Sequence, residues 1–472
     1  MGIITGKDLQ RMGWPQGRVI RMAKVAADVA LRAEPDKNRV LSLLEQVRLH
    51  PADFTQHPVL AELAAYWLAE ITPKPEAEAV KLREEPLLFR IWGAHLIDPN
   101  AQEQMRAAMQ LPVSVAGALM PDAHVGYGLP IGGVLATQRV LIPYAVGVDI
   151  ACRMMLSIFP ESPDVLKSQH DRLKKALISQ THFGIGDAWR PEDHKRPHHD
   201  VLDDPDWNAM PLLRSLQQKA VLQLGSSGSG NHFVEWGSLT LAEDDAVTGL
   251  KAGAYVALLS HSGSRGVGAR IAEHFTKRAQ ALHPDLPRAV QHLAWLEDAH
   301  EDGQAYWLAM QLAGRFAQAN HHVIHRRIAD AAGLQPLLQV ENHHNFAWQE
   351  TLPDGTPVYV HRKGATPAGK GVMGIIPGSM GDVGYWVRGL GLPESLNSAS
   401  HGAGRQMSRL AARENITQHD RDARLREMGV TLISGGLDEA PQAYKPIQDV
   451  MKAQSDLVEV IGVFRPSVVR MD

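Results

Sequence analysis

From about residue 87 onward, short β-rich runs alternate with glycine-rich turns; the runs include GGVLATQRVLIP, RMMLSIF, AYVALLSHSG and PVYVHRKG. Such runs, bounded by glycine and mixed with helical segments, predict a mixed α/β domain whose polar motifs lie at strand ends and in loops. Two longer helices are expected, one beginning near Val267 and one from about Asp302 to Ala332, where Gly333 should end it. The chain has no repeat period, which argues against a solenoid.

The first 70 or so residues differ from the rest because they are helical in pattern. RVIRMAKVAADVALRA and VLAELAAYWLAEI carry apolar residues at three- and four-residue spacing. The segment TPKPEAEAVKLREEP, residues 72–86, contains three prolines and many charges and is predicted to be a linker. We therefore expect a helical N-terminal segment with its linker over 1–86 and a larger domain over 87–472.

Composition limits the classes of partner. The 48 Lys and Arg residues are balanced by 52 Asp and Glu, a net charge of -4, so any phosphate polymer would have to bind at a local basic site. No run approaches the roughly 18 to 20 apolar residues of a membrane span, and MGIITGKDLQRMGW lacks the apolar centre of a secretory signal. A cytoplasmic protein without a membrane partner is expected. Cys152 is the only cysteine, which excludes an intrachain disulfide.

The motif GVDIACRM places Asp149 and Cys152 three residues apart. A carboxylate and a thiolate at this spacing could bind one ion or two adjacent ions, and mixed oxygen, nitrogen and sulfur ligands suit Zn, Mn, Fe or Co. The alternative is that Cys152 is a small buried residue without a chemical role. Histidines elsewhere must decide between the two.

Of 23 histidines, three lie at the ends of β-like runs, in the segments LGSSGSGNHFVEW, LLSHSGSRGVG and ENHHNFAW. They are His232, His261 and His344. Strand ends are where a rigid scaffold most often presents ligands. Together with Asp149 and Cys152, they would supply five ligands for one or two divalent ions and leave positions open for substrate.

Other histidines do not meet this criterion. His321 and His325 are four residues apart in NHHVIHRR, but no glutamate completes a zinc-protease pattern between them. A solvated or half-buried helix face is the expected setting. PHHDVLDDPDW, residues 197–207, is charged and bounded by proline, which predicts an exposed loop.

Glycine-rich loops suggest a phosphate site beside the metal. SSGSGNHF, SGSRGVG, IPGSMGDVG and HGAGRQMSR all offer backbone N–H groups that side chains do not obstruct. Basic residues lie in or near such loops: Arg362, Lys363 and Lys370 within residues 360–371, and Arg265 and Arg405 elsewhere. Each alone could be a solvated surface charge, but as a set they could form the local basic site.

His401 lies in NSASHGAGRQMSR, surrounded by serine, glycine and alanine. Small neighbours let a ligand approach the imidazole closely. A neutral imidazole could attack a phosphorus atom if a carboxylate held its other ring nitrogen. MPDAHVGYGLPIGG offers Asp122 for that role, with His124 beside it.

From about Ala116 to the C-terminus, the chain closely resembles the RtcB family of RNA ligases. The matching blocks, in the family's order, are MPDAHVGYGLPIGG, GVDIACR, LGSSGSGNHFVE, HSGSRGVG, HHNF, VHRKGAT, IPGSMGD, SHGAGRQMSR and DEAPQAYKPI. The resemblance implies the family's α/β (α+β) fold with a deep dinuclear-metal cleft, here preceded by a small helical N-terminal segment. Residues 87–472 would form the catalytic domain.

By this resemblance, His401 would take GMP from GTP and Asp122 would orient it. Two Mn²⁺ ions per subunit would be held by Asp149, Cys152, His232, His261 and His344, with Cys152 bridging. The nucleotide would contact Asn231, His232, Phe233, Val234, Glu235, His344, Asn345, Pro377, Gly378, Ser379, Met380, His401, Gly402, Ala403, Gly404 and Tyr444. Four basic residues are candidates for contacts with RNA phosphate: Arg265, Arg362, Lys363 and Arg405.

The implied reaction transfers GMP to an RNA 3′-phosphate, made by opening a 2′,3′-cyclic phosphate, after which the 5′-hydroxyl of a second RNA end displaces GMP. The setting would be RNA repair or tRNA splicing, and a helper protein for repeated turnover would be a further partner. Two rivals remain. One is a dinuclear-metal phosphodiesterase or cyclic-phosphate hydrolase without nucleotide transfer, and the other is a non-catalytic RNA-binding metalloprotein.

The chain departs from the family pattern in three places. Ala151 and Arg153 flank Cys152 where the family often has glycine, and Gly384 stands where a serine is common. Family members commonly end in Val-Lys-Gly, whose lysine contacts guanine, whereas this chain ends in RPSVVRMD with Arg470 near that place.

The N-terminal stretch ITGKDLQRMGWPQGRVIRMAKVAAD is similar to a short helical element in the C-terminal part of tRNA nucleotidyltransferases. The likeness implies docking of structured RNA. A simple helical cap on the larger domain is the alternative.

Overall fold

The computed structural model describes residues 4–15, 17–71, 80–184, 186–190, 192–193 and 196–472. The chain divides into two compact units, Met1–Ala79 and Val80–Asp472. Of the predicted linker, residues 72–79 lie outside the described residues. Residues 80–86 have no regular secondary structure, but Val80 and Leu82 pack against the core of the larger unit, and Arg83 donates hydrogen bonds to its backbone carbonyls.

The small unit is helical, as predicted. Its helices are α1 (Gly6–Arg11), α2 (Arg18–Ala33), α3 (Lys37–Leu49) and α4 (Ala61–Ile71). Thr5 and Asp8 form a capping box that begins α1, and the Asp36 carboxylate caps α3. The apolar spacing of the sequence buries one stripe of each of α1, α3 and α4 around Leu9, Leu44 and Leu63.

The larger unit combines sheets and helices, which confirms the predicted fold class. Its strands within the described part are β1 (Arg90–Ile91), β2 (Ser114–His124), β3 (Ile131–Thr137), β4 (Val140–Leu141), β5 (Arg153–Phe159), β6 (Phe233–Leu241), β7 (Gly253–Ser262), β8 (Leu296–Glu297), β9 (Leu338–His343), β10 (Asn345–Thr351), β11 (Pro357–Lys363), β12 (Ala365–Pro367), β13 (Met373–Ile376), β14 (Gly384–Gly389), β15 (Ser398–Ser400), β16 (Thr431–Ser434) and β17 (Val458–Met471).

The helices of this unit are α5 (Pro99–Met109), α6 (Pro143–Val146), α7 (Val165–Ser168), α8 (His170–Gln180), α9 (Pro211–Gln223), α10 (Arg265–Leu282), α11 (Glu301–Ala332), α12 (Arg409–Asn415), α13 (Gln418–Glu427) and α14 (Ile447–Ala453). The two predicted long helices are α10 and α11. Gly333 ends α11 in the left-handed conformation, with φ of 60°, because glycine adopts it without a Cβ clash. Among the described helices, none is both long and apolar enough to cross a membrane.

Two large sheets form the body of the unit. One has the order β1-β2-β3-β11-β10, and the other has the order β13-β14-β17-β6-β7-β5-β9 with β16 paired to β17. In the second sheet, neighbours β6, β7, β5 and β9 are antiparallel, and the register aligns Phe233 with His261 and Arg153 with His343. The starts of β5 and β6 therefore lie beside the ends of β7 and β9, at one end of the sheet.

The predicted setting of His321 and His325 is wrong, because both histidines are buried on α11, where it packs against β5 and β7. The Oγ of Ser260 lies 2.9 Å from His321 Nδ1 and 2.8 Å from His325 Nε2, and Ser157 Oγ lies 2.7 Å from His325 Nδ1. Both ring nitrogens of His325 have hydrogen-bond partners, whereas His321 Nε2 is buried without one among the described residues. Burial lowers the pKa of His325 to about 3.

The prediction of an exposed loop over 197–207 is also wrong. This stretch forms two short 3-10 turns, Asp200–Asp203 and Pro205–Asn208. Trp207 is fully buried, and its indole N–H donates to the carbonyl of Val201. The acidic residues of this stretch led to the prediction of an exposed loop, but its apolar side chains face inward and are buried.

Candidate active site

Five side chains converge where the strand termini meet. Cys152 and His232 immediately precede β5 and β6, His261 lies near the end of β7, and His344 follows β9. Cys152 Sγ lies 3.4 Å from His232 Nε2 and 3.1 Å from His261 Nε2. Antiparallel pairing explains the convergence, since the start of one strand lies beside the end of its neighbour.

The five residues form two ligand groups that share Cys152. One group is Cys152, His261 and His344, and the other is Asp149, Cys152 and His232; within each group the ligand atoms lie within 4.8 Å of one another. His261 Nε2 is 3.1 Å from His344 Nε2, and His232 Nε2 is 2.9 Å from Asp149 Oδ2. A thiolate can bridge two metals, so the arrangement suits an adjacent pair of ions.

Contacts outside the cluster fix the orientation of two imidazoles. His232 Nδ1 donates to the carbonyl of Ser227 at 2.9 Å, and His261 Nδ1 donates to the carbonyl of Asn231 at 3.0 Å. These hydrogen bonds orient both rings so that each Nε2 is directed at Cys152. The same arrangement orients histidine ligands in metal sites.

The electrostatics of the cluster fit metal ligands. Burial lowers the pKa of His261 to about 3 and that of His344 well below the ordinary value, so both imidazoles are neutral and their lone pairs are available. Burial raises the pKa of the Cys152 thiol, because the thiolate is costly to form away from water. A bound cation would offset the cost of forming the thiolate. Asp149 Oδ1 is buried without a hydrogen-bond partner among the described residues. An unpaired buried carboxylate oxygen is well matched to a divalent ion.

Ala151, one of the departures from the family pattern, adopts a φ of 57°. Its N–H donates to the carbonyl of Asn345 at 2.7 Å, and the Cys152 N–H donates to the carbonyl of Asp149 at 3.2 Å. The left-handed conformation turns the chain so that Asp149 and Cys152 face the same point. For a residue with a Cβ this conformation is strained.

His401 lies directly after β15 and contacts Asp122, which is fully buried on β2. Asp122 Oδ2 accepts from the ring Nδ1 of His401 at 2.7 Å. Burial alone would raise the pKa of Asp122, but the hydrogen bond and charge of His401 lower it. The Lys445 ammonium donates to the carbonyls of Pro121 and Ala123, on either side of Asp122. The carboxylate thus fixes the imidazole with Nε2 free.

The metal ligands and His401 line one cavity of about 780 Å³. The ring centroids of His344 and His401 are 4.9 Å apart. Most of the predicted nucleotide contacts also line it: Asn231, Phe233, Asn345, Pro377, Gly378, Ser379, Met380, Gly402, Ala403, Gly404 and Tyr444. Val234 and Glu235 are buried in β6 and are not part of the lining.

Two of the four predicted RNA-phosphate residues, Lys363 and Arg405, line the cavity. Arg362 does not. Its guanidinium is buried, pairs with Glu350 at 2.6 Å, and donates to Ser398 Oγ and to the Leu396 carbonyl, each at 2.8 Å. The structure therefore gives Arg362 a role in supporting the segment before β15.

Arg265 is also outside the lining and is engaged inside the fold. Its Nε donates to Ser226 Oγ at 3.1 Å, and its Nη2 donates to the carbonyl of Gly184 at 3.3 Å. The guanidinium lies so close to Gly228 that a Cβ at that position would clash with Nη1. Arg265 thus braces the glycine-rich loop that precedes His232.

Arg470 does not reach the cavity. Its Nη1 donates to the carbonyls of Leu177 and Ile178, and it is Met471 that lines the cavity. Successive side chains of a strand point to opposite faces, so the two residues of β17 separate. Gly384, the second departure, is buried, and a Cβ there would lie 3.4 Å from Pro377 Cα.

Sequence reasoning missed several lining residues, among them Tyr127, Tyr144, Arg409 and Met471. Tyr127 stood in the motif MPDAHVGYGLPIGG, and its position between two glycines was the available signal. Arg409 ends the block SHGAGRQMSR, which contains His401, and that position was its signal. Tyr144 carried none, because only the folded chain brings it to the cavity.

Comparison with known proteins agrees with this geometry. The family model described as tRNA-splicing ligase RtcB matches residues 104–210 and 203–472. The RNA-splicing ligase RtcB of Escherichia coli (strain K12) is 33% identical over 398 residues, covering 79% of this chain and 94% of that protein. The tRNA-splicing ligase RtcB of Nanoarchaeum equitans is 32% identical over 438 residues, covering 78% of this chain and 90% of that protein. The chain belongs to the RtcB family.

Proposed function

We propose that this chain is a cytoplasmic RNA ligase of RNA repair or tRNA splicing. It joins RNA 3′-phosphate or 2′,3′-cyclic-phosphate ends to 5′-hydroxyl ends and uses GTP. The observation that carries the proposal is that His401, held by Asp122 at 2.7 Å, opens onto the same cavity as the five-residue metal cluster. A nucleophile oriented by a carboxylate beside cation ligands is the arrangement that nucleotidyl transfer requires.

His401 is the nucleophile of the first step. Its Nε2 forms a bond to the α-phosphorus of GTP, the bond from that phosphorus to the bridging oxygen breaks, and pyrophosphate leaves with the electron pair. The imidazole becomes positive while Nδ1 keeps its proton. Asp122 stabilises that charge through the hydrogen bond already in place.

The guanylate is then passed to RNA. An oxygen of the RNA 3′-phosphate attacks the guanylate phosphorus, and the electron pair of the broken N–P bond returns to Nε2. The 5′-hydroxyl oxygen of the second RNA end next attacks the RNA 3′-phosphorus, its proton goes to solvent, and GMP leaves. A 2′,3′-cyclic phosphate must first be opened by water. Dividing one difficult displacement into easier ones is the advantage of the covalent route.

Asp149, Cys152, His232, His261 and His344 would hold two Mn²⁺ ions, which when bound would neutralise and polarise phosphate oxygens. The shared position of Cys152 in both ligand groups supports a bridging role. Lys363 and Arg405 would contact RNA phosphate from the cavity wall.

The base would lie against apolar side chains. Phe233, Met380 and Met471 line the cavity and offer flat or adaptable contacts to a purine. Glu235 lies two residues beyond Phe233 on the same face of β6, and burial raises the pKa of its carboxyl.

The test is covalent labelling of the full chain with Mn²⁺ and each α-labelled nucleoside triphosphate. Label from GTP should remain on the protein through an acid-labile, alkali-stable bond. His401→Ala should abolish the label, whereas His419→Ala, an exposed histidine on α13, should label like the wild type. Wild-type protein that opens a 2′,3′-cyclic phosphate but takes no label from any nucleotide would instead be the hydrolase.

A further inference from the structure

An aromatic cluster at the cavity has no part in the steps above. It consists of Tyr127, Tyr144 and His292, here called the aromatic platform. Tyr144 and His292 are stacked, with ring centroids 5.2 Å apart and 28° between planes. Tyr127 meets both edge-on, at 6.5 and 6.2 Å.

The Tyr127 ring of the platform is open to solvent. Tyr127 is 70% exposed, and Val125 and Val148, which also line the cavity, are 50% and 47% exposed. Large apolar side chains that remain exposed together at the wall of a cavity usually mark a binding surface. The exposure of these three residues of the lining therefore indicates a ligand with an apolar face.

The backbone that carries Tyr127 is anchored. The Gln104 side-chain amide donates to the Gly126 carbonyl at 2.6 Å and accepts from the Gly126 N–H at 3.0 Å. The side-chain amine of Lys363 donates to the Tyr127 carbonyl. An exposed aromatic ring on a backbone held by two side chains is prepared for a partner, because little conformational freedom is left to lose on binding.

The platform lies close to the reacting centre. Lys363 Nζ is 5.1 Å from the centroid of the Tyr144 ring. The next residue, Gly364, packs so closely on His401 that a Cβ there would lie 3.2 Å from His401 Cε1. Lys363 thus reaches the platform with its amine, while the neighbouring backbone at Gly364 contacts His401. The platform and the nucleophile are therefore about one lysine side chain apart. A ligand on the platform would be part of a molecule whose phosphate is at His401.

We propose that the aromatic platform stacks a nucleobase of a single-stranded RNA end, within a few nucleotides of the joined phosphate. This proposal rests on the proposed function, since it assumes RNA in the cavity. Aromatic stacking beside a positive charge is the general means of holding single-stranded nucleic acid, and it tolerates every base. A backbone phosphate beside the adjacent Lys363 would favour the protonated form of its amine and pair with it.

The test measures binding and sealing separately. Anisotropy of fluorescent single-stranded RNA should show a Kd raised about 10-fold by Tyr127→Ala, little changed by Tyr127→Phe and raised by Tyr127→Leu, since only an aromatic ring stacks. In sealing assays Tyr127→Ala should raise the RNA KM by a similar factor, with kcat and GTP labelling close to wild type. Val247→Ala, equally exposed at 70% and outside the cavity lining, is the matched control.

Abasic RNA identifies the base. One abasic position near one of the two RNA ends should weaken binding to the wild type about 10-fold and cause no further loss in Tyr127→Ala. Additive losses at every position, or an unchanged Kd for Tyr127→Ala, would overturn the platform. A wild type that binds RNA with this pattern but takes no GMP label would overturn the proposed function and leave the platform standing.

Discussion

Asp122 binds His401 twice through the same oxygen: Oδ2 accepts from the backbone N–H at 3.1 Å and from ring Nδ1 at 2.7 Å. The carboxylate therefore fixes both the position of the residue and the tautomer of its ring. The other oxygen, Oδ1, has no hydrogen-bond partner in the described part of the chain. Both bonds to His401 depend on one atom.

Asp122→Asn should slow GMP labelling of His401 by about 100-fold or more, because an amide no longer stabilises the positive imidazole and can present its N–H to Nδ1. Bound metal, measured by elemental analysis, should stay unchanged, since Asp122 is in neither ligand group. Labelling within twofold of wild type would show that the carboxylate is not needed to orient the ring.

Cys152→Ala should reduce bound Mn²⁺ from two ions toward none, because Cys152 belongs to both ligand groups. His344→Ala removes a ligand from one group only and should reduce bound Mn²⁺ from two ions toward one. Elemental analysis after dialysis against Mn²⁺ separates the two variants. If wild type and Cys152→Ala bound the same amount of Mn²⁺ per chain, the thiol would not be a metal ligand.

Ala151→Gly should stabilise the protein. The left-handed conformation costs a residue with a Cβ about 1 to 2 kcal/mol, whereas the extra freedom of glycine in the unfolded chain costs about 0.4 to 1 kcal/mol. The free energy of unfolding should rise by about 0.5 to 1 kcal/mol in urea. Ala136→Gly, on the buried strand β3, should lower it. A loss of stability in Ala151→Gly would mean that the methyl contacts outweigh the strain.

Arg362→Met should destabilise the fold by about 3 to 5 kcal/mol, because it leaves Glu350 without its ion-pair partner and removes the hydrogen bonds of the guanidinium to Ser398 Oγ and the Leu396 carbonyl. Denaturant unfolding measures the loss. If Arg362 contacted RNA instead, the variant would unfold like the wild type and only its RNA KM would rise.

Lys363 should make stability depend on pH. Burial lowers its pKa from 10.5 to about 7 in the folded protein. Between these values the unfolded chain binds a proton that the folded chain does not, so stability rises with pH. From pH 7.5 to 9.5, wild type should gain about 1 kcal/mol per pH unit relative to Lys363→Met in urea unfolding. Parallel pH profiles would contradict a neutral, buried amine.

Features encoded locally were predictable. Helix α11 was expected from Asp302 to Ala332 and runs over Glu301–Ala332, because apolar spacing and a terminal glycine act within a few residues. His232, His261 and His344 were selected by their positions at strand ends, and Asp149 and Cys152 by their spacing in GVDIACRM. Antiparallel pairing brings the strand ends together.

Features that depend on distant packing were not predictable. His321 and His325 have an ordinary helical pattern, and only the sheet beneath α11 shows that they are buried. Arg362 was a candidate for RNA phosphate and Arg470 was placed near the family's guanine-contacting lysine, yet one pairs with Glu350 and the other binds carbonyls of α8. A charged side chain does not reveal which acceptors the fold will place beside it.

Because the candidate metal ligands lie at aligned strand termini, they come together only when the sheet assembles in the correct register. Side chains alternate between faces, so a slip of β7 by two residues keeps its apolar pattern but moves His261 by about 7 Å. Such a sheet would pack nearly as well and would lose the contacts of His261 with Cys152 and His344. Metal would bind only the sheet in the correct register, so metal binding would also favour the native strand pairing over its nearest competitor.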